Sequence, residues 1–318
     1  MRPRVYVTRL LPEGPMERIL SSCDANVWEG ELPPSRSVLL DNTRDAEGLL
    51  CLLTDTIDKG VLTNAKNLRV ISNLAVGYDN IDLIEAKRLG IVVGNTPGVL
   101  TETTADYAFS LLLAASRRIV EADKSVRAGT WKTWGPLTFL GHDMHDATLG
   151  ILGMGRIGAA LAKRARGFNM KVIYHDVKRS KNTENETGAV YVSLETLLSM
   201  SDFISIHVNL TDQTRHMIGK KELQMMKQNC VLVNTSRGPI VDNMALYEAL
   251  REKKIFAAAL DVTEPEPIPK NHPLLALDNV IVTPHIASAS YHTREDMANI
   301  AVDNLLAGLT GQELPHPV

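Results

Sequence analysis

The segment Thr148-Leu149-Gly150-Ile151-Leu152-Gly153-Met154-Gly155-Arg156-Ile157-Gly158 restricts this chain to few folds. An apolar, strand-like run feeds a G-x-G-x-x-G turn, which opens into the helix-forming Ala159-Ala160-Leu161-Ala162-Lys163-Arg164. A phosphate cradle needs that order: Gly153 permits a sharp turn, Gly155 lets backbone approach a pyrophosphate, and Gly158 lets helix pack closely on strand. The helix start, at Arg156 and Ile157, adds free N–H groups and a positive dipole end. Glycine spacing alone is weak, so the rest of the unit matters. A second apolar run, Lys171-Val172-Ile173-Tyr174, leads to Asp176, near the ~20-residue offset at which a carboxylate meets a ribose 2′-hydroxyl.

Further runs extend the pattern. Leu149–Leu152, Val172–Tyr174, Phe203–Ile206, Val231–Asn234, Ala257–Leu260 and Val280–Val282, with helices between them, predict a complete doubly wound parallel sheet. Upstream, Val5–Val7, Gly48–Leu53, Arg69–Ser72 and Ile91–Gly94 alternate with helical segments, one of which, Asn80–Gly90, is closed by its glycine. A last helical stretch, Ser290–Leu309, has no strand of its own and is expected to return to the first sheet. The expected fold is α/β. A discontinuous, flavodoxin-like substrate-binding domain (1–98 and 287–318) and a Rossmann-type dinucleotide-binding domain (99–286) would face each other across a cleft. Thr101–Ala115 is apolar on nearly every side and reads either as a central core helix or, the preferred reading, as a subunit interface.

With 318 residues and 44% hydrophobic content, each domain can build a core. A net charge of −3, from 34 basic and 37 acidic residues spread without long runs, argues against nucleic-acid or anionic-membrane partners. Cys23, Cys51 and Cys230 have no C-x-x-C spacing and suit buried free thiols in a reducing compartment. No apolar leader run or membrane-length stretch occurs, so a cytoplasmic location is expected. No metal is expected.

Three strand ends carry the chemistry. Val231-Leu232-Val233-Asn234-Thr235-Ser236-Arg237-Gly238 puts a guanidinium just beyond a buried strand, where it can hold a carboxylate bidentately and polarise a neighbouring carbonyl. Asp261, Glu264 and Glu266 follow the next strand, and His285 follows the last. An imidazole beside a carboxylate can deliver a proton to a carbonyl oxygen. Of the nine histidines, His207, also at a strand end, is the main competitor.

These residues, with Asn73-Leu74-Ala75-Val76-Gly77-Tyr78-Asp79-Asn80, Asn95-Thr96-Pro97, Leu260-Asp261-Val262, Glu266-Pro267 and Pro284-His285-Ile286, resemble the D-isomer-specific 2-hydroxy acid dehydrogenase family, most closely its glyoxylate/hydroxypyruvate reductases. The resemblance runs from about residue 48 to 310. It implies hydride transfer from NAD(P)H to a small 2-oxo acid in a cytoplasmic homodimer. His285 would give the proton, Arg237 would bind the substrate's carboxylate and carbonyl, and Glu266 would orient His285. Glu264, also followed by proline, is the alternative partner. Backbone N–H groups at Val76 and Gly77 would cradle the carboxylate, with Thr104, Thr235 and Asp261 at the cofactor.

The chain also departs from the subgroup. Its NADP-using reductases place a small residue and then arginine after the second strand, whereas Tyr174-His175-Asp176-Val177-Lys178-Arg179 stands here. Asp176 favours NADH, while Lys178 and Arg179 keep NADP(H) open. Thr138 stands where the subgroup often has a pocket-shaping tryptophan. Rival readings are an NAD(H)-sensing corepressor-like protein of the same fold and a phosphite dehydrogenase-like enzyme. The latter needs a lysine that Leu74-Ala75-Val76 lacks.

Overall fold

The computed structural model describes residues 2–318; residue 1, the start of the first expected domain, lies outside them. The strands are β1 (Arg4–Val7), β2 (Asp24–Val27), β3 (Gly48–Leu52), β4 (Val70–Leu74), β5 (Val92–Gly94), β6 (Thr148–Leu152), β7 (Lys171–His175), β8 (Val190–Tyr191), β9 (Phe203–Ile206), β10 (Val231–Asn234), β11 (Ala257–Leu260) and β12 (Val280–Val282). The α-helices are α1 (Glu13–Ser22), α2 (Arg36–Thr43), α3 (Lys59–Asn64), α4 (Leu83–Arg88), α5 (Thr101–Ser116), α6 (Ile119–Arg127), α7 (Arg156–Ala165), α8 (Lys181–Thr187), α9 (Leu194–Met200), α10 (Lys220–Met225), α11 (Asn243–Arg251) and α12 (Tyr291–Leu309).

Two compact units result, one from residues up to Leu100 together with Ala289–Val318, the other from Thr101–Ser288. In the first, a five-stranded parallel sheet runs β2-β1-β3-β4-β5. Its central strands are apolar on both faces, as helix-covered parallel strands must be. Tyr6, Leu49, Cys51 and Ile71 pack with Val61 and Leu62 of α3 on one side. Val5, Val7, Leu50 and Val70 pack with Ile19 of α1 and Ala301, Val302 and Leu305 of α12 on the other. Helix α12 thus belongs to the first sheet.

The second unit holds a seven-stranded parallel sheet in the order β12-β11-β10-β9-β6-β7-β8. The chain starts at β6, builds outward to β8, then crosses to β9 on the other side. That reversal puts the topological switch at the carboxyl end of β6, where doubly wound sheets bind their ligands. Within the unit, α5 packs against α7 and across β10 and β11, with Ala105, Ala108 and Leu112 fully buried in the core. Exposed apolar side chains gather on the next segment, at Ile119, Val126, Trp131, Trp134, Leu137 and Leu140.

Candidate active site

At the switch, Gly153 sits at φ +92°, and a Cβ there would come within 2.7 Å of the His207 and Val208 backbone. A Cβ on Gly158 would meet the Gly153 carbonyl oxygen at 2.2 Å, so only glycine lets α7 approach β6 this closely. A Cβ on Gly155 would meet nothing within 4 Å, which leaves the backbone open to a ligand. Helix α7 begins at Arg156 with Gly155 as N-cap, and its first amides lie outside the intrahelical ladder. Asp176, at the end of β7, accepts the Met154 N–H through Oδ2 at 2.7 Å, so the acid is tied directly to the glycine turn.

These features suit a dinucleotide, with open backbone and helix amides for the pyrophosphate and a carboxylate one strand away for a ribose. Another observation agrees. Thr235, at the end of β10, has a buried hydroxyl with no hydrogen-bond partner among the described residues. Thr104 is buried in the first turns of α5, inside the helix rather than at its cap.

Arg237, Glu266 and His285 leave the carboxyl ends of β10, β11 and β12, three adjacent strands. Asn234 builds the Arg237 turn: its Nδ2 donates to the Arg237 carbonyl at 2.9 Å and its Oδ1 accepts the Ser236 N–H at 3.0 Å. Gly238 lies so close beneath the acidic loop that a Cβ would meet the Thr263 carbonyl oxygen at 1.9 Å. The guanidinium's turn and the acid's loop are therefore in direct contact.

His285 Nδ1 lies 2.5 Å from Glu266 Oε1. This contact assigns the Nδ1–H as donor, and His285 Nε2 finds no protein partner among the described residues. Glu264 turns elsewhere, to Arg215 Nη1 and His216 Nε2, each at 2.7 Å. Against the opposing effect of burial, those bonds hold its carboxyl below the usual range.

The histidine is held in an unusual conformation. Its φ is +55°, a left-handed setting that costs a non-glycine residue about 1–2 kcal/mol. Asp261 imposes it. Only 1% exposed, its carboxylate accepts from Thr283 Oγ1 (2.7 Å), Ile286 N (2.9 Å) and Ala287 N (2.7 Å), while its carbonyl accepts the His285 N–H at 2.9 Å. Sequence reasoning placed Asp261 at the cofactor and missed this anchoring task. It missed Asn234 too, although an asparagine three residues before the arginine, at a strand end, is a turn-capping signal.

His207 is the weaker candidate for the proton donor. Its Nε2 pairs with Ser205 Oγ at 2.8 Å, and burial pushes its pKa down to about 4, so it stays neutral where the reaction would run. Val76 and Gly77 lie in the first unit, on the turn after β4.

The chain matches the family described as "D-isomer specific 2-hydroxyacid dehydrogenase, NAD binding domain" over residues 109–287. A protein of Korarchaeum cryptofilum (strain OPF8) named glyoxylate reductase is 53% identical over 319 residues, covering 100% of this chain and 96% of that one. A solved protein of Thermus thermophilus superposes with a TM-score of 0.93 at 46% identity, over 99% of each chain. An NADPH-dependent glyoxylate/hydroxypyruvate reductase of Sinorhizobium meliloti, solved with NADP and malonate, gives 0.87 at 32% identity, covering 100% of this chain and 97% of that one. A glycine cradle tied to an acid, a histidine–glutamate pair beside an arginine turn, and relatives matched end to end lead to one conclusion: the chain belongs to the D-isomer-specific 2-hydroxy acid dehydrogenase family and is an NAD(P)-dependent oxidoreductase of 2-oxo and 2-hydroxy acids.

Proposed function

We propose that this enzyme reduces glyoxylate, and next hydroxypyruvate, with NADH. The observation that carries the reading is the 2.5 Å contact between Glu266 and His285, made on the side of the ring that leaves Nε2 open, at the ends of the two strands that follow the Arg237 strand in the sheet. His285 delivers the Nε2 proton to the carbonyl oxygen of the 2-oxo acid, and Glu266 holds the ring in place and stabilises its charge. Arg237 binds the substrate carboxylate and polarises the carbonyl. Val76 and Gly77 offer backbone N–H groups to the same carboxylate. The reduced nicotinamide, when bound, supplies the hydride for the carbonyl carbon. Gly153, Gly155, Arg156, Ile157 and Gly158 receive its pyrophosphate, Asp176 its adenosine ribose, and Thr104, Thr235 and Asp261 lie toward its nicotinamide end.

NADH is favoured over NADPH for two reasons. Asp176 presents a carboxylate where a 2′-phosphate would sit. Arg179, which could offset that charge, is committed to Glu184 through two bonds of 2.7 and 2.9 Å.

The enzyme acts as a homodimer in the cytoplasm in this reading, with three buried unpaired thiols suited to a reducing compartment. The dimer would form through the apolar segment from Ile119 to Leu140, with Trp134 and Leu137 78% and 81% exposed. Beside it a cavity of about 860 Å³, lined by Arg118, His142 and Phe256 among others, opens at the amino ends of β10 to β12, away from His285. Trp134→Glu should yield a monomer by light scattering; an unaltered mass, or a monomeric parent, contradicts this interface.

The decisive experiment assays glyoxylate, hydroxypyruvate and pyruvate with both reduced cofactors. Turnover is expected with glyoxylate and NADH, and His285→Ala should lower kcat by roughly three orders of magnitude while NADH still binds. Undiminished turnover in that variant removes His285 from its role. Cofactor binding without reduction of any 2-oxo acid favours the sensing-protein reading instead.

A further inference from the structure

Three successive peptide groups in the turn after β4 are held by their oxygens. The Ala75 carbonyl accepts the Thr96 N–H at 2.9 Å, the Val76 carbonyl accepts from Asn95 Nδ2 at 2.8 Å, and the Gly77 carbonyl accepts from Asn73 Nδ2 at 2.9 Å. A trans peptide is planar, with its N–H antiparallel to its C=O, so anchoring each oxygen turns the next residue's N–H the opposite way. The N–H groups of Val76, Gly77 and Tyr78 find no protein acceptor among the described residues. Unpaired amides in sequence are the raw material of an anion site.

The two gripping side chains are buried, Asn73 at 0% exposure and Asn95 at 7%, and both are fixed from behind. Asn73 Nδ2 also reaches Asn80 Oδ1 at 3.2 Å, and Asn80 Nδ2 donates to the Leu52 and Asp55 carbonyls at 3.1 and 3.0 Å. Asn95 is clamped through its backbone. Its N–H donates to the His316 carbonyl at 3.1 Å, and its carbonyl accepts from Asn304 Nδ2 at 2.9 Å. Asn304, fully buried in α12, accepts the His316 N–H at 3.0 Å through Oδ1. Buried amides with their partners satisfied have little freedom to reorient.

We infer that Asn73 and Asn95 are positioning residues for the substrate carboxylate: they lock the turn at 75–78 so that the amides of Val76, Gly77 and Tyr78 form one anion-binding edge. The inference rests on the reductase reading above and adds Tyr78 as a third donor. Neither asparagine touches the substrate; each acts through a carbonyl on the far side of a peptide plane.

The test compares Asn95→Ala and Asn95→Asp with the unsubstituted enzyme, measuring KM and kcat for glyoxylate, inhibition by oxalate, and NADH affinity by fluorescence. A freed Val76–Gly77 plane should raise the glyoxylate KM and the oxalate inhibition constant together by about tenfold or more, with NADH affinity unchanged. Asn95→Asp, nearly isosteric, decides the matter even where Asn95→Ala fails to accumulate. Its ionised carboxylate opposes the Val76 carbonyl, whereas its protonated form can donate to it, so KM should fall back toward the parent value as the pH is lowered. A structural weakening alone would not recover in acid. Unchanged KM and oxalate inhibition in Asn95→Asp, or a raised KM with no recovery at low pH, overturns the inference while the parent's turnover leaves the reductase reading standing. A parent inactive with every 2-oxo acid overturns both.

Discussion

Replacing Asp261 by Asn tests whether a buried carboxylate sets the histidine in place. The two side chains have nearly the same shape, so the change is electrostatic. In the native protein one carboxylate oxygen takes Thr283 Oγ1 and the Ile286 N–H, and the other takes the Ala287 N–H, at 2.7 to 2.9 Å. The amide weakens the first two bonds from charge-assisted to neutral, about 0.5–1 kcal/mol each. Its NH2 then faces the Ala287 N–H, leaving a buried donor unpaired at about 1–3 kcal/mol. Burying a neutral amide is cheaper than burying a charge, which offsets part of the loss, so a net destabilisation of about 1–4 kcal/mol is expected. That is a large share of the ~5–15 kcal/mol of a typical domain. The local consequence is larger still, because His285 is held at φ +55° against its own preference. With the anchor weakened, the turn relaxes and kcat should fall by roughly 10- to 100-fold. Urea unfolding and steady-state kinetics on the same preparation measure both. Stability within ~0.5 kcal/mol of the parent together with an unchanged kcat refutes the anchoring argument.

Two further outcomes follow from charge placement. Asp176→Ala should narrow the preference for NADH over NADPH by about tenfold, since the repulsion of a 2′-phosphate and a ribose hydrogen bond go together; a constant ratio of kcat/KM shows that the acid does not reach the ribose. For His207 the folded pKa, about 4, lies below the ordinary 6.5. The unfolded chain therefore takes up this proton first, and the contribution of the group to stability is intact above about pH 6.5 and lost as the pH falls toward 4. Its ring resonances should stay flat in an NMR titration from pH 8 to 5, and a midpoint above pH 6 contradicts the assignment.

Much of the fold could be read in advance because parallel strands buried on both faces leave continuous apolar runs. Gly48–Leu52 and Val231–Asn234 are such runs, and both are strands. The strands that sequence reading passed over, Asp24–Val27 and Val190–Tyr191, lie at sheet edges, where half-exposed residues carry no such run and only pairing with a neighbour makes them strands. Helix α5 shows the opposite limit. Its all-round apolar surface announces burial but not by what, and the structure shows the sheet of its own unit covering one face.

At the site, residue types and order along the chain singled out the glycine turn, Asp176, Arg237 and His285, because each chemistry admits few side chains and each strand end is marked by the run before it. Glutamates 264 and 266, both followed by proline, could not be told apart in that way. Only the course of the loop directs one to His285 and the other to Arg215 and His216. The same is true of Asp261, Asn73 and Asn95, whose tasks consist of bonds to backbone groups at other points of the chain. Local sequence specifies which groups are available and which segments must be buried, since periodicity and side-chain chemistry are properties of neighbours along the polymer. Which carboxylate meets which imidazole, and which amide grips which carbonyl, depends on distances between segments far apart in the chain, and those exist only once it has folded.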